Sequence, residues 1–228
     1  AEHLARIGDE AVVENQPELP AWLHVRRSPP EPNPLVSVIV PTRDRAELLA
    51  MCADGVLNRT RYRNLELLIV DNDSVEPATQ TLFQTLTAAD PRVRVLPAPG
   101  PFNFSALNNK AAAEARGEIL LLLNNDISMT DDRWLDELVA HAVRPSVGAV
   151  GARLLFPDGR VQHAGVILGV GDAVPVAGHL GYLQAGEDRG YYGHLAMTRN
   201  VSAVTAACMA LRRSVSKAVL NVPFRSVS

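Results

Sequence analysis

Three polar residues follow a run of five apolar residues near the middle of the chain. The run, Ile119 to Leu123, reads Ile-Leu-Leu-Leu-Leu, and Asn124, Asn125 and Asp126 come directly after it. A short run that is apolar on both faces is typical of a buried strand. Polar side chains gathered at the end of such a strand are expected to bind a ligand. Carboxylates, water and phosphate oxygens together are how Mg²⁺ and Mn²⁺ are held in proteins.

Two further polar clusters follow earlier apolar runs in the same way. The first is Pro-Thr-Arg-Asp-Arg, from Pro41 to Arg45, and the second is Asp-Asn-Asp-Ser, from Asp71 to Ser74. A metal ion held among carboxylates can bridge a diphosphate and neutralise the charge that builds on it as it leaves. The three clusters therefore indicate cleavage of the bond between a sugar and a nucleoside diphosphate.

Strands and helices alternate four times around these clusters. The predicted strands are 36–40, 65–70, a short one from Val93, and 119–123; the predicted helices include 48–57, one around 82–86, one capped by Ser105 that stops at Gly117, and 134–142. Each strand is apolar on both faces, which predicts an α/β fold with a doubly wound, mostly parallel sheet and helices on both faces. Because such sheets bind ligands beyond the carboxyl ends of their strands, the three clusters should line a single crevice.

Composition and missing motifs exclude several other classes of protein. The chain has 228 residues, of which 47% are hydrophobic and 21% charged, with a formal net charge of −3. That mild acidity argues against a nucleic-acid partner, and no apolar run approaches the roughly 20 residues of a membrane span. The turn after the first strand contains no glycine, which argues against a dinucleotide site, and no P-loop or G-x-S-x-G motif occurs. Cys52 and Cys208 lack metal spacing and suit two reduced thiols in a cytosol.

At this point the separated motifs resemble those of the family-2 glycosyltransferases with the GT-A fold. The resemblance rests on PLVSVIVPTRDR, LLIVDNDS and NNKAAAEARGEILLLLNNDI, in that order. PFNFSALNNKA, GAVGARLLFPDGRVQHAGVILG and VTAACMALRR are similar to the bacterial branch that builds surface polysaccharides, including rhamnosyltransferase-like members. The similarity covers roughly residues 35 to 213. It implies transfer of a sugar from a nucleotide-diphosphate sugar to a saccharide or lipid-linked saccharide acceptor, with Mn²⁺ or Mg²⁺ as cofactor. A cytoplasmic location follows, with peripheral association at the inner face of the membrane as an expectation.

The resemblance also implies roles for individual residues. Asn124-Asn125-Asp126 stands where the family has its D-x-D motif, with Asn124 in place of the first Asp and Asp126 in the metal-binding position. Asp71 and Asn72 match the pair that faces the nucleobase and ribose. The predicted nucleotide-sugar-binding residues are Pro41, Thr42, Arg43, Asp71, Asn72, Asn109, Asn124 and Asn125.

Each of these assignments has a plainer alternative. Asp71 and Asp73 are also suited to cap the second helix, and Asp126 to cap the helix that begins near Trp134. Asn109 also fits the ordinary polar face of its helix. Arg43 and its neighbours in the turn suit either a phosphate contact or a solvated loop. His163 is a candidate general base, although a lone histidine in a strand is more often structural.

The chain divides into two parts on this interpretation. Residues 1–34 form an N-terminal extension and a proline-rich linker, and 35–228 form a GT-A domain that we expect to be incomplete at its C-terminus. The resemblance implies an acidic pair after VTAACMALRR, one member being the general base, whereas no Asp or Glu follows Asp188. Two hypotheses follow: a metal-dependent glycosyltransferase or its donor-binding part, and a nucleotide-sugar-binding domain without catalytic turnover.

Overall fold

The computed structural model describes residues 2–16, 19–170 and 176–215. The α-helices bounded within these ranges are α1 (Glu2–Arg6), α2 (Ala46–Leu57), α3 (Pro77–Ala89), α4 (Phe104–Glu114) and α5 (Trp134–Ala142), and a short 3-10 helix spans Tyr191–Gly193. The same ranges contain twelve strands: β1 (Ala11–Gln16), β2 (Leu19–Arg27), β3 (Val36–Thr42), β4 (Leu65–Asp71), β5 (Val93–Pro97), β6 (Ile119–Leu123), β7 (Val150–Gly151), β8 (Leu154–Leu155), β9 (Val161–His163), β10 (Val166–Val170), β11 (Val176–His179) and β12 (Cys208–Arg212).

Internal contacts group these elements into two compact units. The sheet unit comprises Pro29–Val150 and Ala206–Ser228, and the hairpin unit comprises Ala1–Ser28 and Gly151–Thr205. The predicted division at residue 34 stays a prediction about domains, and the last thirteen residues of the predicted second domain, 216–228, lie outside the described residues.

The sheet unit is built on a mostly parallel sheet. Its strand order is β5-β4-β3-β6-β12-β7. Strands β3, β4, β5 and β6 run parallel, as their helical connections require, whereas β12 is antiparallel to β6 and pairs Cys208 with Leu123. The predicted α/β fold is therefore confirmed, and the chain has the GT-A architecture.

Both faces of this sheet are covered by helices. On one face Ile39, Leu68 and Leu120 pack with Leu107 and Ala111 of α4, all of them at most 5% exposed. The opposite face of β6 and β12 meets α2, and the helices α2 and α5 contribute further fully buried apolar side chains there. Burial on both faces explains why β3, β4 and β6 are mostly apolar in the sequence, whereas β5 at the edge of the sheet is only partly buried.

A buried carboxylate ties the amino-terminal end of the sheet together. Glu66 accepts hydrogen bonds from Ser37 Oγ (2.6 Å), from the Arg116 backbone N–H (2.7 Å) and from Arg94 Nη1 (3.3 Å). Burial alone would raise the pKa of Glu66, but these hydrogen bonds to its charged form outweigh burial and lower it. Gly117 N–H donates to Ser37 Oγ at 2.8 Å, so the loop before β6 joins the same network.

The ends of α4 differ from the sequence prediction. The N-cap is Asn103, whose side-chain oxygen accepts from Ala106 N–H at 3.0 Å, and Ser105 already lies inside the first turn. The helix ends at Glu114 rather than at Gly117. Both Asn and Ser cap helices well, so local preference alone does not choose between them.

The hairpin unit consists of antiparallel pairs. β1 pairs with β2, β8 with β9, and β10 with β11. A Pro-Asp-Gly turn, Pro157 to Gly159, joins β8 to β9, and Gly159 has φ +84°. The hairpin β1–β2 was not predicted, because apolar and polar residues do not alternate regularly in its strands. Backbone pairing between the two strands defines the hairpin instead. Within the described residues no helix is both long and apolar enough to cross a membrane.

Candidate functional site

The parallel strands of the sheet unit end at one edge, where the predicted crevice lies. β3 is flanked by β4 on one side and by β6 on the other. The chain leaves β3 towards β4 and β5 and then returns through α4 to β6, so the order of strands reverses at β3 and β6. Such a switch point opens a crevice beyond the strand ends, and this crevice is where open α/β sheets bind ligands.

Thr42 joins the ends of β3 and β6. Its hydroxyl accepts a hydrogen bond from Asn125 Nδ2 at 3.0 Å and donates to the Asp44 carbonyl at 3.2 Å. Thr42 is only 4% exposed, whereas Asn125 is half-buried. Two of the three predicted clusters are therefore in direct contact through one side-chain hydroxyl.

The cluster from Asp71 to Ser74 is hydrogen-bonded to the cluster from Pro41 to Arg45. Ser74 N–H donates to Asp71 Oδ1 at 2.9 Å, and Asp44 N–H donates to Ser74 Oγ at 2.9 Å. Asn72 N–H donates to the Thr42 carbonyl at 2.9 Å, which extends the β3–β4 ladder beyond the strand ends. Asp71 thus closes a turn immediately after β4. This turn, and not a helix cap, is what its carboxylate contributes to the local structure.

Asn72 and Asp73 reach across to the loop after β5. Asn72 Nδ2 donates to the carbonyls of Ala98 and Gly100, both at 2.9 Å, and Asp73 Oδ2 accepts from Gly100 N–H at 2.8 Å. Asn72 is 1% exposed, and its Oδ1 has no hydrogen-bond partner among the residues that the structure describes. The amide nitrogen of Asn72 is therefore committed to holding this loop, and its oxygen is buried beside it.

Asn124 and Asp126 lie close to the buried thiol of Cys52. Asn124 N–H donates to the Ala207 carbonyl at 2.9 Å, and its own carbonyl accepts from Cys52 Sγ at 3.6 Å. Burial raises the pKa of Cys52 to about 12, with smaller contributions from the charge of Asp126 and from Cys208. Asp126 itself is exposed, so its carboxylate faces solvent at the end of β6. It takes no part in capping α5, before which Asp131 accepts from Arg133 N–H.

The donor set at the end of β6 fits a cation that is shared with a ligand. Across residues 2–16, 19–170 and 176–215, no group of three or more His, Cys, Asp or Glu side chains is placed to hold a metal. One exposed carboxylate, Asp126, and the amides of Asn124 and Asn125 are present instead. Mg²⁺-type sites commonly use one or two protein carboxylates and complete the shell with phosphate oxygens and water. The site suits that arrangement and not an all-protein cage.

The remaining predicted residues of the sheet unit take different positions. Pro41 is half-buried within β3, and Arg43 is exposed directly after it, with no ion pair in the described part of the chain. Asn109 is half-buried on α4. Its neighbour Asn108 is 1% exposed and donates to the Phe104 carbonyl at 2.8 Å. Arg43 is thus a free cation beside the crevice.

His163 belongs to the hairpin unit and is fully engaged there. It is 1% exposed, its Nε2 accepts from Thr205 N–H at 3.3 Å, and its Nδ1 lies 2.9 Å from His179 Nδ1. These partners assign the proton to His163 Nδ1, which donates to His179. Burial and then the neighbouring His179 lower the pKa of His163 to about 4. Both ring nitrogens are used structurally, which favours the structural interpretation over a general base.

Sequence reasoning left two members of the network unassigned. Asp44 was open between a phosphate contact and a solvated loop, and Ser74 was noted only as part of its cluster. Their hydrogen bonds connect the turn after β3 to the loop after β4. Short polar side chains in turns commonly bond to nearby backbone, but the sequence holds no signal for which loop they reach.

The class of protein follows from this fold and site, and comparison with known proteins agrees. The profile of the family described as Glycosyl transferase family 2 matches residues 37–220. This chain belongs to glycosyl transferase family 2, which confirms the family predicted from the motifs.

Individual relatives share this region of sequence. The O-antigen biosynthesis protein RfbC of Myxococcus xanthus is 47% identical over 217 residues, which are 94% of this chain and 16% of RfbC. The uncharacterized protein y4gI of Sinorhizobium fredii is 47% identical over 218 residues, which are 96% of this chain and 24% of y4gI. The chain therefore spans less than a quarter of the length of these relatives.

A solved structure has the same fold. It is the mannosyltransferase PcManGT from Pyrobaculum calidifontis in complex with GDP-Man and Mn²⁺. It superposes with a TM-score of 0.51 at 25% sequence identity, and the match covers 58% of this chain and 39% of that chain.

Proposed function

We propose that this chain is the donor-binding part of a glycosyltransferase that transfers a sugar from a nucleotide-diphosphate sugar to a saccharide acceptor in bacterial surface-polysaccharide synthesis. The observation that carries the proposal is the hydrogen-bonded junction of three strand ends at the switch point, with Asp126 exposed beside it. The similarity to an O-antigen biosynthesis protein supports the pathway, and that to a mannosyltransferase structure with GDP-Man and Mn²⁺ supports the donor class.

The nucleoside would lie over the ends of β3 and β4. Asp71 and Asn72 would face the nucleobase and ribose, while Pro41 and Thr42 would form the wall behind them. Asn109 on α4 would close the site from the other side of the sheet. Hydrogen bonds that Asp71 and Asn72 make to backbone already hold them in place, so binding would cost little ordering of this wall.

The diphosphate would lie towards the end of β6. Asn124, Asn125 and the exposed guanidinium of Arg43 would bind its oxygens, and Asp126 would hold Mn²⁺ or Mg²⁺. When bound, the divalent cation supplies charge neutralisation for the departing nucleoside diphosphate. Without it, Asp71, Asp73 and Asp126 would bring several carboxylates close to a ligand that is itself negatively charged. Binding is therefore expected to depend on the metal.

The acceptor and the place of action are further parts of the proposal. We propose a saccharide or lipid-linked saccharide acceptor, a cytoplasmic location and peripheral association with the inner face of the membrane. A second candidate function is nucleotide-sugar binding without turnover. The observation that favours it is the state of His163, the one base candidate that the sequence suggested, whose ring nitrogens are both engaged in the hairpin unit.

Binding and turnover are tested separately. Isothermal titration with UDP, GDP, CDP and dTDP, each in MnCl₂, MgCl₂ and EDTA, should reveal at least one nucleotide that binds more tightly with metal. A chain that binds none of the four in MnCl₂ would refute the proposal. Sugar release from the corresponding labelled nucleotide sugars, with and without saccharide acceptors, then separates a transferase from a binding domain.

A further inference from the structure

The turn between β3 and α2 adopts an unusual backbone conformation. Asp44 and Arg45 have φ of 55° and 58°, so two successive residues other than glycine lie in the left-handed region. That region costs free energy for side chains with a Cβ, and a pair in succession is rarer than a single residue. Contacts made elsewhere must therefore hold the turn in this form.

Asp44 makes the contacts that hold it. Its Oδ1 accepts from the backbone N–H groups of Val75 and Glu76, both at 2.8 Å. Its own N–H donates to Ser74 Oγ at 2.9 Å, and its carbonyl accepts from Thr42 Oγ1 at 3.2 Å. The backbone N–H, the carbonyl and one carboxylate oxygen of Asp44 are thus all bonded, and they join the turn after β3 to the loop after β4.

The loop between β4 and α3 depends on these contacts. Val75 is 77% exposed, so apolar packing does not hold the loop. Glu76 is the N-cap residue of α3 and its side chain makes no capping hydrogen bond. Asp44 supplies the missing acceptor from a different loop, about 30 residues earlier in the chain.

We propose that Asp44 is a positioning residue for the nucleotide, which it does not touch. By bonding to Ser74, Val75 and Glu76 it locks the loop that carries Asp71, and through its carbonyl it orients Thr42. The inference rests on the proposed function, because it assigns Asp44 a role in the same crevice. Its acceptor oxygen, and not its charge, is the feature that matters.

Three substitutions separate the acceptor from the charge and from the backbone conformation. Asp44→Asn keeps a side-chain oxygen and a residue type that tolerates the left-handed region, but removes the charge. Asp44→Gly removes the side-chain acceptor and also the cost of the left-handed backbone conformation, because glycine has no Cβ. Asp44→Ala removes the acceptor and keeps that cost. Glu47→Gln is the matched control, because Glu47 is an exposed carboxylate close by whose one ion pair is with Arg45.

The first readout needs no ligand. Hydrogen–deuterium exchange of the Val75 and Glu76 amides, followed by NMR, should be at least about tenfold faster in Asp44→Ala and Asp44→Gly than in the wild type, because both amides lose their acceptor. Asp44→Asn and Glu47→Gln should exchange like the wild type. Unchanged exchange in the Ala and Gly variants would overturn the inference whatever the chain binds.

The second readout is binding of UDP, GDP, CDP or dTDP in MnCl₂, using whichever binds the wild type most tightly. Asp44→Ala and Asp44→Gly should bind about 10–100-fold more weakly, and Asp44→Asn within about threefold of the wild type. If Asp44→Asn binds as weakly as Asp44→Ala, the charge contacts the ligand or its metal and the positioning role is wrong. A wild type that binds none of the four defeats the proposed function and the positioning role together, while amide exchange still decides whether Asp44 holds the loop.

Discussion

A single hydroxyl, that of Thr42, links the end of β3 to the end of β6. Thr42→Val replaces it by a methyl group of nearly the same size. The exchange removes the bond from Asn125 Nδ2 and the bond to the Asp44 carbonyl. Each such hydrogen bond between neutral groups contributes about 0.5–1.5 kcal/mol, so the free energy of unfolding should fall by about 1–3 kcal/mol.

A melting experiment measures this loss. For a chain of this size each kcal/mol corresponds to about 2–4 °C, so the midpoint of thermal unfolding should fall by about 2–12 °C. Thr42→Ser is the matched control, because it keeps the hydroxyl and loses only a methyl group. Metal-dependent nucleotide binding should weaken in Thr42→Val and persist in Thr42→Ser. A Val variant that melts and binds like the wild type would show that the hydroxyl does not hold the junction, and equal losses in both variants would assign the effect to packing.

Four further expectations follow from the sheet unit. Asp126→Asn should abolish the difference between nucleotide binding in MnCl₂ and in EDTA and leave the melting temperature within about 2 °C, because an exposed loop carboxylate makes few contacts. Asp71→Ala should weaken binding in both conditions, and two variants with the same metal dependence would contradict this division of roles. The lowered pKa of Glu66 means that its ionised form stabilises the fold at neutral pH, and that this stability is lost as pH falls through the folded-state pKa. In urea titrations the destabilisation by Glu66→Gln should therefore be larger at pH 7 than at pH 4, and a constant difference would argue against an ionised Glu66. Gly117→Ala would place a Cβ 2.6 Å from backbone atoms and should destabilise by more than about 1 kcal/mol, whereas Gly148→Ala, with open space around it, should not.

The sequence alone determined the parallel sheet and the edge of the sheet at which the site lies. Four apolar runs, each followed by a helical pattern, can be buried on both faces only in a parallel sheet covered by helices. Three of these runs end in polar clusters, and parallel strands that end together bring such clusters to one edge. The family followed from the same motifs, since their residues and order are local properties of the chain.

The tertiary structure decided which atoms hold the clusters together. Asp44 bonds to residues 31 and 32 positions later, and Asn125 bonds to Thr42 across 83 positions. Local preference cannot encode such pairs, because each forms only after the strand order has placed β3 between β4 and β6.

The same reason explains what the sequence left open. The antiparallel direction of β12 beside β6 depends on a distant strand, and the hairpin β1–β2 forms from residues with no clear period. In both cases backbone pairing supplies order that the side-chain pattern lacks. His163 shows the limit for a single residue. Its type suggested a base, but burial and two hydrogen-bonding neighbours, which only folding brings to it, hold its pKa at about 4.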